Sequence, residues 1–120
     1  MAAQWVGPAG YVLATDVSTS MLNLAADAAR DAGLKNVETR QMDAENIDLD
    51  AASFDAVICR IGRMLFSDPV KALTGMHRVL KPRGKAVALV WFGSREEYGL
   101  AVMTGMGRMG KDAHWASDIF

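Results

Sequence analysis

A short apolar run that ends in a carboxylate constrains this chain more than any other feature. It reads Gly10-Tyr11-Val12-Leu13-Ala14-Thr15-Asp16-Val17-Ser18. Residues 11–15 have the apolar, β-branched character of a buried strand. Asp16 or Ser18 then caps a helix predicted over residues 19–32. In an open α/β sheet, ligands lie beyond the carboxyl ends of the strands. A carboxylate at that point can accept from both hydroxyls of a ribose, because two neighbouring O–H donors match its two oxygens.

The rest of the chain repeats this alternation. Before it, Ala2, Ala3, Trp5 and Val6 read as the last turn of a helix, and Gly7-Pro8-Ala9-Gly10 as a turn. That turn precedes a strand, so it is not a phosphate-cradling loop, which must follow one. In the helix over 19–32, Met21, Leu22, Ala25, Ala28, Ala29 and Ala32 share one face, and Gly33 closes it. Residues 37–42 read as a second strand, followed by Asp43 and an acidic loop that Ile47, Leu49 and Phe54 anchor. Residues 56–61 form a third strand, apolar enough to be buried on both faces. Asp68-Pro69 starts a helix with Ala72, Leu73, Met76, Val79 and Leu80 inside, and Lys81-Pro82-Arg83-Gly84 stops it. Residues 86–91 are a fourth strand. Residues 96–109 are predicted as a helical tail, with Met103, Met106 and Met109 on one face.

Strands alternating with helices imply a parallel sheet with helical crossovers. With 120 residues and a net charge of −1, the chain is one domain or part of one and carries no basic field for nucleic acid or an anionic membrane. No apolar run is long enough to span a bilayer. Cys59 is the single cysteine, which excludes an internal disulfide and points to a reducing compartment. With no signal-peptide pattern at the amino terminus, the expected location is the cytoplasm. Asp43, Glu45, Asp48, Asp50 and Asp55 do not have metal-loop spacing, and no metal is expected. Cys59 reads as a structural thiol, and His77 and His114 as ordinary core or surface histidines.

Several motifs in order carry a resemblance. A strand ends in Asp16 and a second in Asp43-Ala44. Phe54-Asp55-Ala56-Val57 follows, and then Arg78-Val79-Leu80-Lys81-Pro82-Arg83-Gly84. Cys59-Arg60-Ile61-Gly62-Arg63-Met64-Leu65-Phe66-Ser67-Asp68-Pro69 adds a further segment. Together they resemble the class I S-adenosylmethionine-dependent methyltransferases, and within them the ubiquinone/menaquinone-biosynthesis-like, or type 11, group. The resemblance covers about residues 1–93. It implies a Rossmann-like α/β fold, a parallel sheet with flanking helices, here truncated at both ends relative to the family. The family's first strand and glycine-rich loop have no counterpart, which leaves a gap between the strands over 11–15 and 56–61.

The resemblance also implies roles. Asp16 binds the ribose hydroxyls of S-adenosylmethionine, with Val17 beside it and Met21 near ribose and adenine. Asp43 accepts from the adenine amino group, and the Ala44 N–H reaches a ring nitrogen. Cys59 and Arg60 line the methionine end, and Arg60 and Arg63 are acceptor-side candidates. Arg83 departs from the family's Gly-Gly at a turn remote from the cofactor, where the departure is expected to matter little. The implied reaction is direct displacement of the methyl group by a small-molecule acceptor. Two other readings stay open at this point. One is a non-catalytic remnant that self-associates through exposed strand edges. The other is a nicotinamide-dependent dehydrogenase fragment, since an acidic residue ending a second strand also binds ribose there.

Overall fold

The computed structural model describes residues 2–60, 66–94 and 97–105. The chain divides into two compact units, Met1–Asn46 and Ile47–Phe120.

The first unit begins with a one-turn helix, α1 (Ala2–Trp5), and a turn closed by Gly10 N–H donating to the Gly7 carbonyl at 3.1 Å. Gly7 takes φ +73°, which a residue without Cβ adopts freely. The Asn36 side-chain amide donates to the Ala3 carbonyl at 3.1 Å and the Gly7 carbonyl at 2.9 Å, tying this entry to the end of the next crossover. Strands β1 (Val12–Asp16) and β2 (Val37–Gln41) pair in parallel, from Val12 opposite Val37 to Asp16 opposite Gln41.

Helix α2 (Thr19–Asp31) connects them. Ser18 is its cap, with Oγ accepting from Met21 N–H at 3.4 Å. At the other end Gly33 N–H donates to Arg30 O and Leu34 N–H to Ala29 O, both at 2.9 Å, a Schellman closure with Gly33 at φ +66°. Leu22 and Ala29 are the buried residues of this helix. The inward face is narrower than the periodicity suggests, because Met21 is 54% exposed and Ala28 and Ala32 are also exposed. A two-stranded sheet cannot cover the full width of the apolar arc.

In the second unit, β3 (Phe54–Arg60) pairs in parallel with β4 (Leu80–Ser94), and α3 (Pro69–Val79) links them. Asp68 caps α3, its Oδ1 accepting from Lys71 N–H at 3.0 Å, with Pro69 at the first helical position. Ala72, Met76 and Val79 are buried on its inner face. The helix passes directly into strand at Leu80, where ψ is 136°. Between Phe54–Leu80 and Ala56–Lys85 the register shifts, so the Lys81–Gly84 turn bulges out of the ladder. A Cβ on Gly84 would lie 2.9 Å from the Lys81 carbonyl oxygen, so glycine is required by close backbone approach. Arg78 clamps the acidic loop, donating to Leu49 O and Ile47 O, each at 2.8 Å. Ile47, Leu49 and Phe54 are half-buried, as anchoring requires.

Two expectations are corrected. The third strand is not buried on both faces: Val57 and Cys59 are half-buried, while Ala56, Ile58 and Arg60 are exposed, Ile58 by 63%. That alternation marks a sheet covered on one side only. The predicted helical tail is strand where described: β5 (Glu97–Gly105) pairs antiparallel with β4, with Met103 opposite Ala88. Gly99 and Gly105 disfavour helix, Tyr98, Val102 and Thr104 favour strand, and the free edge of β4 supplies a ladder. Residues 106–120, with Met106, Met109 and His114, lie outside the described residues. Among the described residues the strands form two sheets, β1-β2 and β3-β4-β5, and no ladder joins β1 to β3.

Candidate functional site

Parallel pairing of β1 and β2 puts their carboxyl ends side by side. Met42 N–H donates to the Asp16 carbonyl at 3.0 Å, one residue before Asp43. Gln41 Nε2 donates to the Val17 carbonyl at 2.9 Å, fixing the loop that leaves β1 against the end of β2. The two carboxylates therefore stand on neighbouring strand ends of one sheet, as the sequence pattern expects.

Asp16 is half-buried. Its Oδ1 accepts from Ser18 N–H at 2.8 Å, which aims the carboxyl group at the start of α2. Oδ2 makes no hydrogen bond among the described residues. Val17 and Met21 flank it with 63% and 54% of their surface exposed, so apolar surface adjoins a carboxylate oxygen with acceptor capacity. Asp43 is exposed and works locally. Its Oδ1 accepts from Glu45 N–H at 2.8 Å and its Oδ2 from Asn46 Nδ2 at 2.6 Å, which folds residues Ala44–Asn46 into a single 3₁₀ turn. Ala44 heads the turn.

The strand ends thus carry a half-buried carboxylate, exposed apolar side chains beside it in the chain and a second carboxylate just beyond the next strand. Gln41 and Asn46 hold the backbone around these carboxylates, and sequence reasoning did not single them out. The Asp-x-x-Asn spacing of Asp43 and Asn46 is a legible Asx-turn signal. Gln41 has none, because its role depends on the register of β2 against β1.

In the other unit, Cys59 is half-buried and Arg60 is exposed at the carboxyl end of β3, opposite Ala88 and Leu89 of β4. Arg63 lies outside the described residues. His77 is exposed on α3. Asp55 pairs with Lys81, whose Nζ lies 2.9 Å from Oδ1 and 3.0 Å from Oδ2. The perturbed titrations lie at the amino ends of β1 and β2, away from the carboxylate pair. Tyr11 Oη donates to Glu38 Oε2 at 2.6 Å, and that bond raises the Tyr11 pKa. The same bond, followed by one from Arg40 at 2.8 Å, lowers that of Glu38. No helix among the described residues is long and apolar enough to cross a membrane.

Parallel strands joined by helices define a Rossmann-like α/β class. Comparison with known proteins narrows it: a methyltransferase-domain model of the type 11 branch matches residues 1–88, and the chain belongs to that family. The family's cofactor is S-adenosylmethionine. The chain is 41% identical over 85 residues to the ubiquinone/menaquinone biosynthesis C-methyltransferase UbiE of Blochmanniella pennsylvanica, covering 70% of this chain and 34% of that protein. It thus spans about a third of the length of the curated relatives it matches. Among solved structures it resembles a SAM-dependent methyltransferase from Aquifex aeolicus, with TM-score 0.71 and 30% identity, covering 79% of this chain and 51% of that one. It also resembles an arsenic(III) S-adenosylmethionine methyltransferase from Chlamydomonas reinhardtii, with TM-score 0.69 and 31% identity, covering 76% and 34%. Family membership sets aside the nicotinamide dehydrogenase reading.

Proposed function

We propose that this chain binds S-adenosylmethionine at the carboxyl ends of β1 and β2 and serves methyl transfer to a carbon atom of a small organic acceptor. The observation that carries the reading is the pair Asp16 and Asp43 at the ends of neighbouring parallel strands, with no hydrogen bond to Asp16 Oδ2 among the described residues. In this reading Asp16 accepts from the two ribose hydroxyls. Val17 and Met21 supply apolar surface beside ribose and adenine. Asp43 accepts from the adenine amino group, and the Ala44 N–H donates to a ring nitrogen. For Cys59 and Arg60 the family resemblance suggests the methionine end, and for Arg60 and Arg63 the acceptor side. Carbon is favoured as the acceptor atom by the C-methyltransferase names of the relatives.

The cofactor, when bound, supplies a methyl group already activated on a sulfonium. What is asked of the protein is therefore positioning and exclusion of water, while the proton lost by the acceptor carbon as the C–C bond forms passes to a base or to water. Asp16 performs the positioning step, because a carboxylate bonded to two hydroxyls fixes both the place and the rotation of a ribose.

Calorimetric titration of S-adenosylmethionine into the full chain tests the reading, with Asp16→Ala as control. Saturable binding is expected, weakened at least tenfold in the variant, since a hydrogen-bond pair to a charged group is worth about 1.5–3 kcal/mol. Equal affinity in the variant, or no saturable heat in a chain that circular dichroism shows to be folded, overturns it.

A further inference from the structure

The peptide group between Val17 and Ser18 carries a hydrogen bond on each side. Its carbonyl accepts from Gln41 Nε2 at 2.9 Å, and its N–H donates to Asp16 Oδ1 at 2.8 Å. A trans peptide group is planar, with C=O and N–H on opposite sides, so a bond that holds the carbonyl also aims the N–H. The preceding peptide group is held separately, by Met42 N–H donating to the Asp16 carbonyl at 3.0 Å. Among the described residues, Gln41 is the one donor to the Val17 carbonyl. Gln41 stands opposite Asp16 in the β1–β2 register, and residues in register present their side chains to the same face of a sheet. A side chain thus takes over where the backbone ladder ends.

We propose that Gln41 is a positioning residue for the cofactor site: by fixing the Val17–Ser18 peptide group it sets the Asp16 carboxylate for the ribose. The inference rests on the ribose reading of Asp16. A carboxylate that receives two neighbouring hydroxyls needs its rotation fixed as well as its place. Ser18 N–H supplies that fixing at Oδ1. Without the Gln41 donor the peptide group is released to rotate, its N–H leaves Oδ1, and the carboxylate turns. Bonds linked through one peptide group also polarise one another, so losing the first weakens the second even where the backbone stays in place. Because Gln41 acts through Asp16, it governs recognition of the ribose hydroxyls rather than affinity for the cofactor as a whole.

Calorimetric titration of the full chain with S-adenosylmethionine and with its 2′-deoxyribose analogue tests this. The native chain is expected to prefer the ribose form by about tenfold. Gln41→Met keeps the reach of the side chain without the donor, and Gln41→Glu keeps its shape with an oxygen in place of the donor. Each should cut the preference by about threefold or more and quicken amide exchange at Ser18. Both variants should fold, since Gln41 is exposed and the Met42 N–H bond to Asp16 remains. The charge added by Gln41→Glu acts on both ligands alike and cancels from the ratio. In an Asp16→Ala background, Gln41→Met should change the preference no further. Full preference retained in both folded variants overturns the proposal and leaves the ribose reading of Asp16 standing. A further change in the Asp16→Ala background does the same. A native chain with no ribose preference overturns that reading and the proposal with it.

Discussion

Arg83 takes φ +70°, a left-handed conformation that costs a residue with Cβ about 1–2 kcal/mol. Its place in the Lys81–Gly84 bulge is remote from the carboxylate pair in chain and unit, as the motif comparison expects, but it is not free of consequence for stability. Arg83→Gly relieves the strain and also gives the unfolded chain more conformational freedom, which offsets part of the gain. A net stabilisation of about 0.5–1 kcal/mol is expected, read as a higher urea midpoint at unchanged slope. Tyr11 and Glu38 make a second prediction at this scale. The lowered Glu38 pKa contributes stability that is present above the ordinary glutamate value and lost as pH falls through the lowered one. The raised Tyr11 pKa contributes stability that is present below the ordinary tyrosine value and lost as pH rises through the raised one. The stability difference between the native chain and Tyr11→Phe is therefore expected to be flat through neutral pH and to shrink at both the acid and the alkaline end. Both groups are solvent-exposed, so the effect is small and falls with added salt.

Helix α3 shows how caps and packing divide the work at the level of an element. Asp68 and Pro69 define its start, and Ala72, Met76 and Val79 bury its inner face. Asp68→Ala removes the acceptor for Lys71 N–H and is expected to cost about 1 kcal/mol, measured by chemical denaturation. Asp68→Asn keeps an acceptor and should recover most of that loss. The strand elements obey a different rule. Met103, Met106 and Met109 have helix-like spacing in the sequence, yet residues 97–105 form β5 because the free edge of β4 offers nine paired positions. Glycine weakened the competing helix, and the edge decided the outcome.

For the whole molecule, the buried apolar residues among those described divide between the two compact units: Ala3, Leu22 and Ala29 in one, Ala72, Met76 and Val79 in the other. The carboxylate pair lies wholly in the first. Ligand linkage stabilises the state that binds by about 2.7 kcal/mol at a hundredfold excess over Kd. Added S-adenosylmethionine is therefore expected to slow amide exchange most in β1, the first turn of α2 and the end of β2. Equal protection throughout residues 54–89 would speak against a site confined to the carboxyl edge of the first sheet.

Much of this was determined by sequence. Asp16 and Asp43 announce themselves because a strand followed by a carboxylate and a helix start is a local pattern, and the caps at Ser18, Gly33 and Asp68 are equally local. Tertiary structure alone decided the rest. Register placed Gln41 on the Val17 carbonyl, and a turn drew both Asp43 oxygens into local bonds. The partner across the chain determined that Arg78 clamps a loop, that Ile58 stays exposed and that residues 97–105 are strand. The physical reason is range. Capping and turn energies act over three or four residues, whereas ladder pairing and burial depend on segments tens of residues apart, which a linear pattern does not specify.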